Sequence, residues 1–235
     1  MRNFFLICLT FVSFFVFTFS VQSCKKKVNE DGLTREITDL VPQEILDEMI
    51  VLGMPINGGN KPPQLEGTFL ASPFILKNSN VLSDYEGMSF ADYYATFYDQ
   101  NNKDLSIKYS YINGPESGEG LGGYIVGDKN TFSIFAELTA TAYGEEVSMV
   151  HVISGTIEDD GIKDLFFANF MLDNNDNPNG YWIANGQGRI IYDSDGFSPK
   201  TGVSKSATDK QSISFVKHHF HILRTDDVHV KQTRK

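Results

Sequence analysis

Cysteine is nearly absent from this chain, and its placement matters more than its scarcity. The two cysteines, Cys8 and Cys24, both fall within the first 24 residues. No disulfide can therefore staple the chain beyond residue 24, and no thiolate can act there as nucleophile or metal ligand. Tryptophan occurs once, as Trp182. Serines are numerous, yet no G-x-S-x-G elbow surrounds any of them. No apolar run reaches the roughly 20 residues that a membrane-spanning helix needs; the longest, FFLICLTFVSFFVFTFS, covers 4–20. Positive charge is also short. The net charge is −10, and the segment from Lys200 to Lys235 holds eight Lys/Arg against three Asp. That tail is therefore +5 and the remainder −15. An acidic body of this kind repels phosphate backbones, so nucleic acid is not expected as a partner.

What is present begins with a secretory layout. Arg2 supplies a positive start, the apolar run follows, and small residues close it, so residues 1–23 read as a signal peptide. The stretch VQSC, Val21 to Cys24, resembles the lipobox of bacterial lipoproteins. The resemblance implies cleavage before Cys24 and lipidation of its thiol, which anchors the protein to a membrane. Lys25 stands where an inner-membrane retention signal would carry Asp. Lipoprotein sorting then implies the outer membrane, facing either the periplasm or the cell surface.

Residues 24–40, KKKVNEDGLTRE included, are charged and polar and read as a tether. The domain proper is expected over 41–198. Ile45, Leu46, Met49 and Ile50 recur at helical spacing, with Pro42 before them and Gly53 after, which predicts one helix over 42–52. From Leu65 the period changes to two. In LSIKYSY, Leu105, Ile107, Tyr109 and Tyr111 alternate with Ser106, Lys108 and Ser110, the pattern of a strand buried on one side. Further strands are expected at 65–71, 91–99, 121–127, 131–140, 147–157, 163–172 and 182–193, separated by short turns such as GDKN, AYGEE and EDDG. Short turns lay sequential strands antiparallel, and closing eight of them removes both sheet edges. The fold class expected is therefore mainly β: an antiparallel up-and-down barrel of about eight strands with one N-terminal helix. LFFANFML, Leu165 to Leu172, is apolar on both faces, so the helix is expected to cover its outer side. Residues 199–235 form a basic extension with a further strand possible at 212–223.

Three segments carry a wider resemblance. LGMPINGGNKPPQLEGTF, SGTIEDDGIKDLFFANFML and GRIIYDSDGF resemble a group of lipoproteins from Bacteroidetes with lipocalin-like, or calycin-like, barrels. The group has no assigned activity, so the resemblance implies location and fold alone. The Gly-x-Trp of true lipocalins is missing; Gly67, Thr68 and Phe69 stand there instead. No ligand residues are carried over from lipocalins.

Few local patterns carry chemistry. GEGLGG, Gly118 to Gly123, matches G-x-G-x-x-G but precedes a strand rather than a helix, and reads as a hairpin loop. DNNDNPNG begins like a calcium loop at Asp173, yet Pro178 and Ala184 occupy the positions that need Gly and Glu. A looser set of Asp173, Asp176, Asp193 and Asp195 needs two loops at the same end of the barrel. His219 and His221 share one side of the terminal strand without a third ligand nearby. Glu145 and Glu146 are adjacent, so on a strand they face opposite ways and cannot pair for catalysis. No catalytic residue, metal or cofactor is expected. The inward aromatic set either fills the barrel or lines a pocket. Its candidate ligand-binding members are Tyr93, Phe97, Tyr109, Tyr111, His151 and Phe167. The function expected is a non-enzymatic lipoprotein holding a small apolar or amphipathic ligand in the barrel. The alternative is an accessory subunit with a filled barrel that contacts another envelope protein.

Overall fold

The computed structural model describes residues 27–202. Cys24, His219, His221 and the strand expected at 212–223 lie outside the described residues.

Two short helices open the described chain, α1 (Arg35–Leu40) and α2 (Gln43–Val51). Thr34 caps α1 by accepting from the Ile37 N–H at 3.4 Å. Pro42 lies just beyond it and has no N–H with which to extend that helix. Gly53, at φ +97°, ends α2 and lets the Met54 N–H reach the Met49 carbonyl at 2.9 Å. The single helix expected at 42–52 is thus the second of two. The tether expected over 24–40 is also corrected from Leu33 onward, because Leu33, Thr34 and Ile37 are buried. A six-residue helix needs few apolar residues to pack, too few to show as a period.

The remainder is mainly β. Twelve strands follow: β1 (Asn60–Lys61), β2 (Gly67–Ala71), β3 (Phe74–Ser79), β4 (Ser89–Phe90), β5 (Tyr93–Asn101) and β6 (Ser106–Asn113). Then come β7 (Glu116–Asp128), β8 (Thr131–Ala142), β9 (Glu145–Glu158), β10 (Gly161–Asp173), β11 (Gly188–Asp193) and β12 (Phe197–Thr201). All belong to one large sheet whose strands ring around a core. Pairing runs from β2 to β5 and in sequence through β10, and β12 then pairs with both β10 and β2. β11, β3 and β4 continue the sheet from the other half of β10, and Phe74, Leu76 and Ile191 pack into the interior. The strand expected at 182–193 shortens to β11, which pairs with β3 and is not the strand that closes onto β2. β12, which straddles the domain boundary expected at 198, takes the closing place instead. FSPKT has no alternating pattern to announce a strand. Its approach depends on Gly161, where a Cβ would come within 2.5 Å of the Ser198 carbonyl oxygen.

Two apolar clusters lie on opposite faces of the sheet. Inside the ring are Phe69, Phe97, Ile107, Tyr109, Phe132 and their neighbours. On the outer face, Leu46 and Met49 of α2 and Ile37 of α1 join Val150, Val152, Ala168 and Phe170. Strand β10 therefore alternates between two buried faces, Leu165, Phe167 and Met171 inward and Ala168 and Phe170 outward, with the helices on the outer side. Leu105 is a correction: at φ 58° it sits before β6 and belongs to the outer cluster, so the inward stripe begins at Ile107. GEGLGG is another. It is no loop but the middle of β7, where the register shifts between Gly120 and Gly122.

Candidate functional site

The hairpin ends β6–β7 and β8–β9 lie at the same end of the ring as the 174–187 loop, and a cavity of about 210 Å³ opens there. Its floor is apolar, made by Tyr93, Met149, Phe167 and Ile191, with Phe90 of β4. Its upper wall is polar, with Asn113, Glu116, Asn169, Arg189 and the loop residues Tyr181 and Trp182.

The six candidate ligand-binding residues divide by depth. Tyr93, Tyr111 and Phe167 line the cavity. Phe97, Tyr109 and His151 lie beneath it, fully buried in a continuous aromatic stack. Phe97 stacks on Tyr109 at 5.6 Å between ring centres, Tyr109 on Tyr111 at 5.9 Å, and His151 meets Phe167 edge-on at 4.6 Å. A chain of polar atoms threads the stack. The Tyr93 and Tyr109 hydroxyls are hydrogen-bonded to each other, and Tyr109 pairs with His151 Nδ1 at 3.1 Å. Burial pushes the His151 pKa down to about 3, so the imidazole is neutral, and pushes all three tyrosines well above their ordinary value. Gly118 makes room for this packing, since a Cβ there would lie 2.5 Å from Tyr111 Cε1.

The polar wall was not legible as a site in advance. The Tyr111 hydroxyl donates to Glu116 Oε1 at 2.5 Å. Burial raises the Glu116 carboxyl above the usual glutamate value, only partly offset by that hydrogen bond and by the charge of Arg189. Arg189 is committed elsewhere: Nε and Nη2 grip the Asp84 carboxylate at 2.7 and 3.0 Å. Burial opposes the Asp84 charge, but the hydrogen bonds from Arg189 and Ser79 outweigh it and hold the carboxyl below its ordinary range. Two wall atoms, Asn169 Oδ1 and Trp182 Nε1, are buried with no hydrogen-bond partner among the described residues. Buried polar atoms normally find partners, so each marks a place where a ligand atom or water completes the site. Asn169 carried a faint sequence signal, as the one polar residue on the inward face of LFFANFML.

The asparagine-rich loop has a different role from the calcium loop it superficially matches. Asn177 clamps Trp182 through both ends of its amide, receiving from the Trp182 N–H at 2.9 Å and donating to its carbonyl at 2.6 Å. Asn174 donates to the Ile183 carbonyl at 3.1 Å. These bonds seat Trp182 over the cavity. The looser aspartate set does not assemble. The β10–β11 register, Phe170 opposite Gly188 and Phe166 opposite Tyr192, places Asp173 and Asp193 at opposite ends of the pair. Among the described residues no three His, Cys, Asp or Glu converge to hold a metal.

Comparison with known proteins finds no matching family model, no matching curated protein and no matching solved structure, so the likeness to Bacteroidetes lipoproteins rests on its sequence motifs alone.

Proposed function

We propose that this protein is an outer-membrane lipoprotein, anchored through Cys24, whose lipocalin-like barrel binds a small amphipathic molecule without chemically changing it. The observation that carries this reading is the cavity at one end of the ring, apolar below and polar above, with two buried wall atoms left without partners among the described residues. A cavity of about 150 Å³ suffices for benzene, so about 210 Å³ takes a compact ligand rather than a fatty acid or pigment. The lower half of the interior is occupied by the protein's own rings, which supports one-ended binding over a through-barrel ligand. The accessory-subunit alternative calls for an interior filled throughout, and the open end favours binding instead.

Trp182 is the only tryptophan and lines the cavity, so its fluorescence reports occupancy directly. The test is native mass spectrometry of the full chain extracted from its own membrane in detergent, followed by Trp182 emission before and after stripping with organic solvent and refolding. A co-purified mass of a small compound, with an emission shift on its removal, supports binding. A bare protein mass with unchanged emission sinks it. Replacing Cys24 with Ser is expected to move the protein from the detergent phase to the aqueous phase.

A further inference from the structure

The cavity wall specifies more than a size. Glu116 is its only anionic member, and among the described residues no cation lies within ion-pair distance of it. The cationic neighbour, Arg189, spends Nε and Nη2 on Asp84 and lays its guanidinium against the Phe90 ring at 5.5 Å. That pair is internally neutral. The cavity therefore presents one carboxylate whose cationic neighbour is already paired with another carboxylate. Aromatic faces surround it: Tyr93, Tyr111, Phe167, Tyr181 and Trp182. Asn169 Oδ1 adds a second acceptor that no donor reaches among the described residues.

From this we infer that the ligand is a primary organic ammonium ion. Its N–H groups satisfy the Glu116 carboxylate and Asn169 Oδ1, its charge rests against the aromatic walls, and its apolar body lies on the Tyr93–Phe167–Ile191 floor. Each alternative meets a physical objection. An anion faces the Glu116 charge, and the Nε–Nη2 edge of Arg189 is already taken by Asp84. A neutral ligand leaves the partly buried carboxylate only partly compensated, by the Tyr111 hydroxyl and by an Arg189 that Asp84 already holds. A quaternary ammonium gains the aromatic attraction but has no N–H for either acceptor. Trp182 Nε1, a buried donor without a partner among the described residues, suits a hydroxyl or carbonyl elsewhere on the same ligand.

The inference rests on the binding reading above, and its test separates the two. Full-length protein in detergent at neutral pH is titrated with benzylamine, benzyl alcohol and benzoate, followed by Trp182 emission and calorimetry. Benzyltrimethylammonium serves as the quaternary control. Benzylamine is expected to bind at least tenfold tighter than the other three. Glu116→Gln keeps an acceptor for Tyr111 while removing the charge, and is expected to erase most of that preference. Equal binding of the charged and neutral probes overturns the ammonium assignment and leaves the binding reading standing. Tightest binding of benzoate or of the quaternary ion also overturns it. No binding of any probe overturns both. The wild-type comparison is decisive even if Glu116→Gln fails to fold.

Discussion

The two halves of the ring's interior share aromatic residues and end in opposite states. Around Phe97, Tyr109 and His151 every ring has a neighbour, and the polar atoms of Tyr93, Tyr109 and His151 are paired within the stack. Around Asn169 and Trp182 a space of about 210 Å³ remains, and polar atoms are left over. Composition does not separate these halves, since tyrosines line both. Satisfaction does: one half has matched its donors and acceptors internally, and the other has a surplus that only a further molecule can use. The filled half should govern stability, and the unfilled half should govern binding.

The largest expected effect therefore comes from the filled half. Tyr109→Ala removes a buried ring and orphans its partners, and is expected to cost about 3–5 kcal/mol in urea unfolding. A loss below about 1 kcal/mol would show that the stack is not the core of the fold. Next is the acid response of His151. Its folded pKa of about 3 lies below its ordinary 6.5, so the unfolded chain takes up the proton first as pH falls. The stability tied to its neutral state is complete above 6.5 and drains away on acidification, by about 2 kcal/mol on reaching roughly pH 5. His151→Leu is expected to flatten that slope relative to the wild type, whatever its stability at neutral pH. Equal slopes in the two proteins would place the acid sensitivity elsewhere.

Substitutions in the unfilled half should run the other way. Asn169→Leu replaces an unpartnered buried polar atom and is expected to leave the ligand-free protein unchanged or stabilised by about 1 kcal/mol, while weakening ligand binding. A clear destabilisation would mean that Asn169 is already satisfied. The smallest effect belongs to Tyr181→Ala. Tyr181 is 40% exposed at the mouth, so melting is expected to shift by less than about 0.5 kcal/mol. Binding measured through Trp182 should weaken nonetheless, because Tyr181 packs edge-on to the indole at 5.0 Å.

How far each feature could be read in advance depended on whether its signal was local. The long hairpins β5 to β10 were legible because Phe, Tyr and Ile alternate along them and tight turns separate them. The outer cover of 165–172 was legible because an apolar residue stood on both faces. β3, β4 and β12 were not, being short strands whose partners, β11 for β3 and β2 and β10 for β12, are remote in sequence or have no hairpin to announce them. The site divided in the same way. Its aromatic lining residues Tyr93, Tyr111 and Phe167 followed from inward periodicity. Glu116, Asn169, Arg189 and Trp182 did not, because each comes from a different element and none has a motif.

By itself, then, the chain determined an acidic body without cysteine, a run of amphipathic strands and an apolar leading run that ends at a lipobox-like cysteine. Those properties depend on residue type and on neighbours a few positions away. The pairing of β12 with both β2 and β10, the packing of 33–54 on the outer face and the division of the interior into filled and unfilled halves were decided only in three dimensions. Each depends on which side chains from distant strands meet, and on whether their volumes and hydrogen-bonding groups match when they do.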